Sequence, residues 1–148
     1  MTAELYDNIL IPTDGSSGTE KAVEHALDLA ETYDATIHVL YVIDMHPSYH
    51  GVLSENYIDE LKDEGEKAID DVVEKATGRG RKVTTKIARG IPHKVILRYA
   101  EENDIDLIAM GTHGRTGIRH LALGSVAEKV IRAADIPVLT ARMTPEDG

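Results

Sequence analysis

Short apolar runs alternate with amphipathic segments along the whole chain, and that alternation limits the fold more than any other feature. The runs 8–12 (NILIP), 35–43 (ATIHVLYVI), 106–110 (DLIAM) and 136–141 (IPVLTA) read as buried strands. The run 82–88 (KVTTKIA) instead alternates, with Val83, Thr85 and Ile87 on one side, which suits an edge strand with one solvated face. Between these runs the apolar residues recur at helical spacing. Ala22, Val23, Ala26, Leu27, Ala30 and Tyr33 line one face of a helix over 17–33. Ile58, Leu61, Ala68, Ile69, Val72, Val73 and Ala76 do so over 57–77, with Gly78 and Gly80 expected to stop that helix. Pro92 opens a helix to about 103, with Val95, Ile96, Tyr99 and Ala100 inward, and the last helix covers 125–134. Ser17-x-x-Glu20 and Ser125-x-x-Glu128 have the pattern of capping boxes.

Strands separated by helices pair in parallel through right-handed crossovers. The expected architecture is α/β: one doubly wound, five-stranded parallel sheet in a single domain over 1–148. A chain of 148 residues buries a core of its own, without staples. There is no Phe and no Trp, so that core is aliphatic, and single-strand nucleic-acid binding through stacked aromatics is disfavoured. A net charge of −10 disfavours nucleic acid and anionic membranes for the same electrostatic reason. The acidity fits plain solubility, and also a high-salt habitat. The absence of cysteine rules out a disulfide framework and agrees with a reducing cytoplasm. No stretch is long and apolar enough to span a bilayer, and the N-terminus lacks a signal-peptide pattern. A cytoplasmic location is therefore expected.

The chemistry concentrates in the segment 111–125, GTHGRTGIRHLALGS, between a strand and a helix. Glycines let the backbone approach an anion, and a helix N-terminus offers N–H groups and a partial positive charge. Arg115, Arg119, His113 and His120 make the segment locally basic. Taken alone it fits an anion cradle and a plain connector equally, with Ser125 a contact or merely a cap. A P-loop lysine is missing, and no G-x-G-x-x-G follows the first strand, so the standard nucleotide fingerprints do not apply. The longest irregular piece, 44–56, carries His46 and His50, but Pro47 argues against a metal-binding helix face there.

Gly111, two residues, Gly114, nine residues, then Gly124-Ser125 matches the glycine motif of the ATP-binding subgroup of the universal stress protein (UspA-like) family. The start NILIPTDGS and the end GSVAEKVIRAADIPVL resemble that family too, so the likeness covers essentially the whole chain. The resemblance implies an adenine nucleotide alpha hydrolase-like sheet of order 3-2-1-4-5, with ATP at the carboxyl ends of strands 1 and 4. It implies that Gly111, His113, Gly114, Gly124, Ser125 and Val126 hold phosphates and ribose. Asp14 would lie near sugar and base, with Pro12 and Thr13 beside it. Val42 would offer backbone groups to the adenine edge and Met110 would pack under the ring. Arg115 could offset phosphate charge. From the residues alone, Asp14 could equally cap its turn, and Val42 and Met110 could be core. ATP carries a divalent cation, so Mg or Mn would come with it, although the sequence offers no carboxylate cage. No catalytic residue is evident, and the expected function is nucleotide-responsive regulation in a stress response, with slow or absent hydrolysis. An ATPase or phosphotransfer enzyme activated by a partner is the alternative. The resemblance also implies a homodimer in which Val138, Leu139, Thr140 and Ala141 of the last strand pair across a two-fold axis.

Overall fold

The computed structural model describes residues 5–45, 55–112 and 124–142. The elements run β1 (Asn8–Pro12), α1 (Thr19–Tyr33), β2 (Thr36–Asp44), α2 (Glu55–Gly78), β3 (Val83–Gly90), α3 (Pro92–Glu102), β4 (Leu107–Gly111), α4 (Ser125–Ala133) and β5 (Val138–Ala141). The five strands form one all-parallel sheet of order β3-β2-β1-β4-β5. Both the α/β class and the strand order agree with expectation. β3 is an edge, as expected, with Val83 and Ile87 half-buried and Thr84 and Lys86 exposed; Thr85, expected on the covered side with Val83 and Ile87, is exposed as well, because the edge strand is covered incompletely.

The core divides along the sheet's two faces. Ile9, Ile11, Ile37, Val39, Tyr41 and Ile43 pack with α1 and α2 on one side. Leu10, Leu40, Ile108 and Met110 pack with α3 and α4 on the other. Period-2 alternation along β1 and β2 assigns each residue its side. All the helical residues predicted to face inward on α3 are buried.

Both capping boxes lie off register. α1 starts at Thr19 with Gly18 at the N-cap, because the turn before it is already closed by the Thr19 and Glu20 N–H groups donating to the Ser16 and Ser17 carbonyls. α4 starts at Ser125 with Gly124 at the N-cap, so Ser125 occupies the first helical position. α2 runs through Gly78, and the chain turns at Gly80, where φ is 73°.

Two features hold the sheet's ends. At the amino edge, Asp106 Oδ2 accepts from the backbone N–H groups of Asp7 (2.8 Å) and Asn8 (3.0 Å), tying the start of β4 to that of β1. Beside it, buried His38 bonds the Tyr99 hydroxyl through Nδ1 (2.8 Å) and Asn8 Oδ1 through Nε2 (3.0 Å). Asn8 Nδ2 donates to the Asp104 carbonyl, so Oδ1 is the acceptor towards His38. His38 therefore carries its proton on Nε2, and the Tyr99 hydroxyl donates to Nδ1. At the carboxyl edge, Gly111 lies against the N-cap of α1. A Cβ there would fall 2.5 Å from the Gly18 carbonyl oxygen. Strand and helix backbones thus touch, and only glycine permits it.

Burial holds the His38 imidazole below its ordinary pKa, so the unfolded chain takes up this proton more readily. Its contribution is complete above about pH 6.5 and is lost as pH falls towards the folded value, by at most about 1.4 kcal/mol per pH unit. Urea unfolding from pH 7 to 5 should show this decline, and His38→Asn, though less stable, should show a flatter profile. Identical slopes would mean the charge of His38 has no part in it. Gly111→Ala should cost about 2 kcal/mol or more, because backbone must shift on both sides of the contact. Gly78→Ala, where a Cβ meets nothing within 4 Å, should be neutral or gain up to about 1 kcal/mol. Thermal melts of the two variants check the contrast.

Candidate nucleotide site

β1 and β4 are hydrogen-bonded neighbours only over Ile9–Leu107 and Leu10–Ile108. Beyond that point β1 continues alongside β2, to Pro12 opposite Leu40, and β4 continues alongside β5, to Gly111 opposite Ala141. The two carboxyl halves part. This is the point at which the winding of the sheet reverses, where open α/β sheets bind ligands. On the α1 side the gap is closed by Gly18 against Gly111. The α3/α4 side is where the expected site residues collect.

Pro12 ends β1 half-buried, and Thr13 beyond it is buried. The Thr13 N–H donates to the Leu40 carbonyl (2.9 Å), and Thr13 Oγ1 accepts from the Gly15 N–H (3.1 Å). Asp14 Oδ1 accepts from the Ser16 N–H at 2.9 Å. One carboxylate oxygen thus holds the turn, as the capping interpretation requires, and the same bond fixes the side chain at the crevice. Ser16 Oγ is buried in this turn without a hydrogen-bond partner. Such a group is expensive to leave unmet, by about 1–3 kcal/mol.

Val42 and Val126 are half-buried and pack on the α3/α4-side core, in which Met110 is buried. The three give an apolar wall reaching from β2 across β4 to the first turn of α4. Met110 is therefore core and wall at once, and the core interpretation of that residue does not compete with the other. Gly124 and Ser125 start α4 at the same edge, where the first-turn N–H groups have no acceptor within the helix. His113, Gly114 and Arg115 lie outside the described residues, as do His46 and His50.

Thr112, to which sequence reasoning assigns no role, closes the neck of the glycine-rich segment. Its carbonyl accepts from the Gly124 N–H (2.6 Å) and its N–H donates to the Ala141 carbonyl (3.1 Å). Thr112 thereby links the start of α4 to the end of β5. The sequence also missed three basic groups at this edge. His93 and Lys94 lie in the first turn of α3, and Lys129 lies in α4. The His93 imidazole is held below its ordinary pKa by partial burial first, then by Lys129 and Lys94. Among the described residues no group of three His, Asp or Glu side chains is placed to hold a metal ion. No described helix is long and apolar enough to cross a membrane.

The arrangement has close counterparts. A universal stress protein of Methanocaldococcus jannaschii is 42% identical over 142 residues, covering 93% of this chain and 83% of its own. A second protein of that organism, whose biochemical function was assigned from its structure, superposes with a TM-score of 0.84 at 30% identity, over 95% of this chain and 98% of its own. Two more distant structures share the fold. One is a universal stress protein in complex with cAMP (TM-score 0.69, 22% identity, 95% of this chain and 100% of its own). The other is the Archaeoglobus fulgidus protein in complex with dAMP (TM-score 0.66, 23% identity, 92% and 98%). The model of the universal stress protein family matches residues 5–142, and this chain belongs to that family.

Proposed function

We propose that the crevice between β1 and β4 binds ATP, and that the protein is a nucleotide-responsive regulator in a stress response which hydrolyses ATP slowly or not at all. The observation that carries this is the juxtaposition of the apolar wall Val42–Met110–Val126 with the first turn of α4, across from the turn that carries Asp14. A flat base needs a dry wall and an edge of main-chain groups, and a phosphate needs N–H donors. One crevice offers both. The complexes of two proteins of this fold with cAMP and dAMP support an adenine nucleotide in particular.

In this scheme Val42 presents main-chain groups to the base edge, and Met110 and Val126 exclude water from its face. Pro12, Thr13 and Asp14 border the ribose, with the carboxylate accepting a hydroxyl or amino hydrogen. Gly111, His113, Gly114, Gly124 and Ser125 surround the phosphates, and Arg115 adds charge. The phosphates supply most of the coordination for Mg or Mn. Helix N–H groups bind the ground state as they bind a transition state, and uniform binding leaves the chemical step slow. The protein acts in the cytoplasm as a homodimer.

The dimer reading rests on hydrogen-bond parity. The Ile108 and Thr112 N–H groups donate to the Pro137 and Ala141 carbonyls. In a parallel ladder the odd residues of β5 therefore face β4, and Val138 and Thr140 turn their polar groups to the open edge. Leu139 packs on one core and Val138 on the other, so both faces of this edge strand are apolar. An edge of that kind pairs readily with a second copy.

Mass spectrometry of ligand released from purified protein should reveal an adenine nucleotide. In Gly114→Val/Gly124→Val, native by circular dichroism, affinity for Mg-ATP should fall at least about tenfold, the worth of one or two lost charge-assisted hydrogen bonds. Unchanged affinity sinks the cradle, and fast multiple-turnover phosphate release would favour the partner-activated enzyme. For assembly, Thr140→Pro removes an outward N–H and spares the β4 ladder. It should sediment as a monomer; a dimer of parental strength would place the interface elsewhere.

A further inference from the structure

Polar groups from β1, β2, α3 and the turn before β4 meet at the amino edge of the sheet. His38 lies between the Tyr99 hydroxyl and Asn8 Oδ1, and Asn8 Nδ2 donates onward to the Asp104 carbonyl at 3.3 Å. The His38 and Tyr99 rings meet edge to face, with centroids 5.7 Å apart, and both residues are buried. The turn beyond Tyr99 is tied to the same place. Asn103 donates to the Tyr99 carbonyl from its backbone N–H and from Nδ2, each at 3.0 Å. The Ile105 N–H donates to the Ala100 carbonyl and the Asp106 N–H to the Asn8 carbonyl. Between them Asp104 is held at a φ of 53°, which a residue with a side chain adopts at a cost.

The hydrogens of this cluster match a neutral imidazole. Neutral His38 offers one donor, Nε2–H, to Asn8 Oδ1, and one acceptor, Nδ1, to the Tyr99 hydroxyl. The cation has two donors. Its Nδ1–H then faces the Tyr99 oxygen, whose own hydrogen must turn away, and among the described residues that hydroxyl makes no second hydrogen bond. We propose that His38, Tyr99 and Asn8 form a proton-operated latch: neutral, it pins the end of α3 and the turn 103–106 to the sheet, and protonated, it releases that corner while the rest of the fold stays closed. This goes beyond the decline in overall stability with acid, because it assigns the response to one corner of the molecule.

The surrounding charges do not rescue the cation. Asp106 Oδ2 already accepts from the Asp7 and Asn8 N–H groups, and the Asp7 and Asp104 side chains belong to exposed residues. On β3, Thr84 stands opposite His38, and the exposed Lys82 and Lys86 to either side add positive charge. On α3, the exposed Arg98 and Glu102 are of opposite sign. Burial alone lowers the affinity of His38 for a proton. The corner is also the weakly paired part of the sheet. β4 joins β1 only at Leu107 and Ile108, whereas β2 pairs with β3 from Ile37 to Asp44. Few ladder bonds therefore hold the start of β4 once the latch is open, and regions of that kind open locally at low cost.

The test is native-state hydrogen exchange followed by NMR from pH 7 to 5, corrected for the intrinsic pH dependence of exchange, on the parent, His38→Asn and Tyr99→Phe. In the parent the amides of Asn103, Ile105 and Asp106 should lose protection by up to about tenfold per pH unit below about pH 6.5, because the open corner binds the proton more readily. Thr13 and Thr112, at the carboxyl edge, should stay within about twofold. His38→Asn should be less protected at the corner at pH 7 and lose the pH response there. Tyr99→Phe should exchange several-fold faster at the corner than the parent at pH 7, with the carboxyl edge unchanged. A parent that loses protection equally at both edges overturns the latch, as does a parental pH response in His38→Asn. Should His38→Asn not fold, the parent and Tyr99→Phe still decide: uniform loss of protection in both means that only global stability responds. No nucleotide enters the experiment, so its outcome is independent of the nucleotide reading.

Discussion

The parting of β1 from β4 is the constraint on which the remaining architecture depends. Right-handed crossovers carry the chain from β1 outward to β3 on one face, and then back to β4 and on to β5 on the other. α1 and α2 must therefore cover one side, and α3 and α4 the other. At the reversal the connections that follow β1 and β4 leave to opposite faces of the sheet, and α1 packs over both strands on its own face. The strands separate after Leu10 and Ile108, and the crevice follows. The contact of Gly111 with Gly18 then closes one side of the gap with main chain. The other side is left to apolar side chains and a helix start.

The satisfied polar network and the crevice occupy opposite ends of the sheet. At the amino edge the polar groups are mutually satisfied: Asp106 holds two backbone N–H groups, and His38 bridges Tyr99 and Asn8. Burying such a network is tolerable only because every member finds a partner. At the carboxyl edge the balance differs. Ser16 Oγ is buried without a partner, α4 begins without a side-chain cap, and His93 sits among positive charges. These are costs within the folded chain, of the kind that the proposed nucleotide would relieve. Thr112 joins the two halves of this edge, since its peptide groups bond both the start of α4 and the last residue of β5. A change at the glycine-rich segment and a change at the β5 edge therefore meet at one residue.

Much of this was legible in the residues. Short apolar runs and period-3.6 patterns located the strands and helices of the described residues, whereas the face that Val42 shares with Leu40 emerged only in the sheet. The helix starts were less legible. Ser17-x-x-Glu20 and Ser125-x-x-Glu128 have the composition of capping boxes, yet Gly18 and Gly124 take the N-cap positions. Capping chemistry recognises a local pattern, whereas the start of each helix is decided by the loop before it. The turn 13–18 is closed by Thr13 and Asp14 side chains, and the segment before α4 by Thr112.

Sequence by itself determined the class of fold, the inward faces of the helices and the glycine spacing, because each of these is written in neighbours along the chain. Tertiary structure decided which distant residues become neighbours. His93 and Lys129 are ordinary surface residues in their own helices, and only two parallel helices starting at one sheet edge bring them together. Gly111 needs to be glycine for a reason far away in the chain, the backbone of Gly18. Local pattern reports hydrophobicity and backbone freedom. Electrostatic fields and close approach act through space, and they exist only once the crossovers have placed the helices.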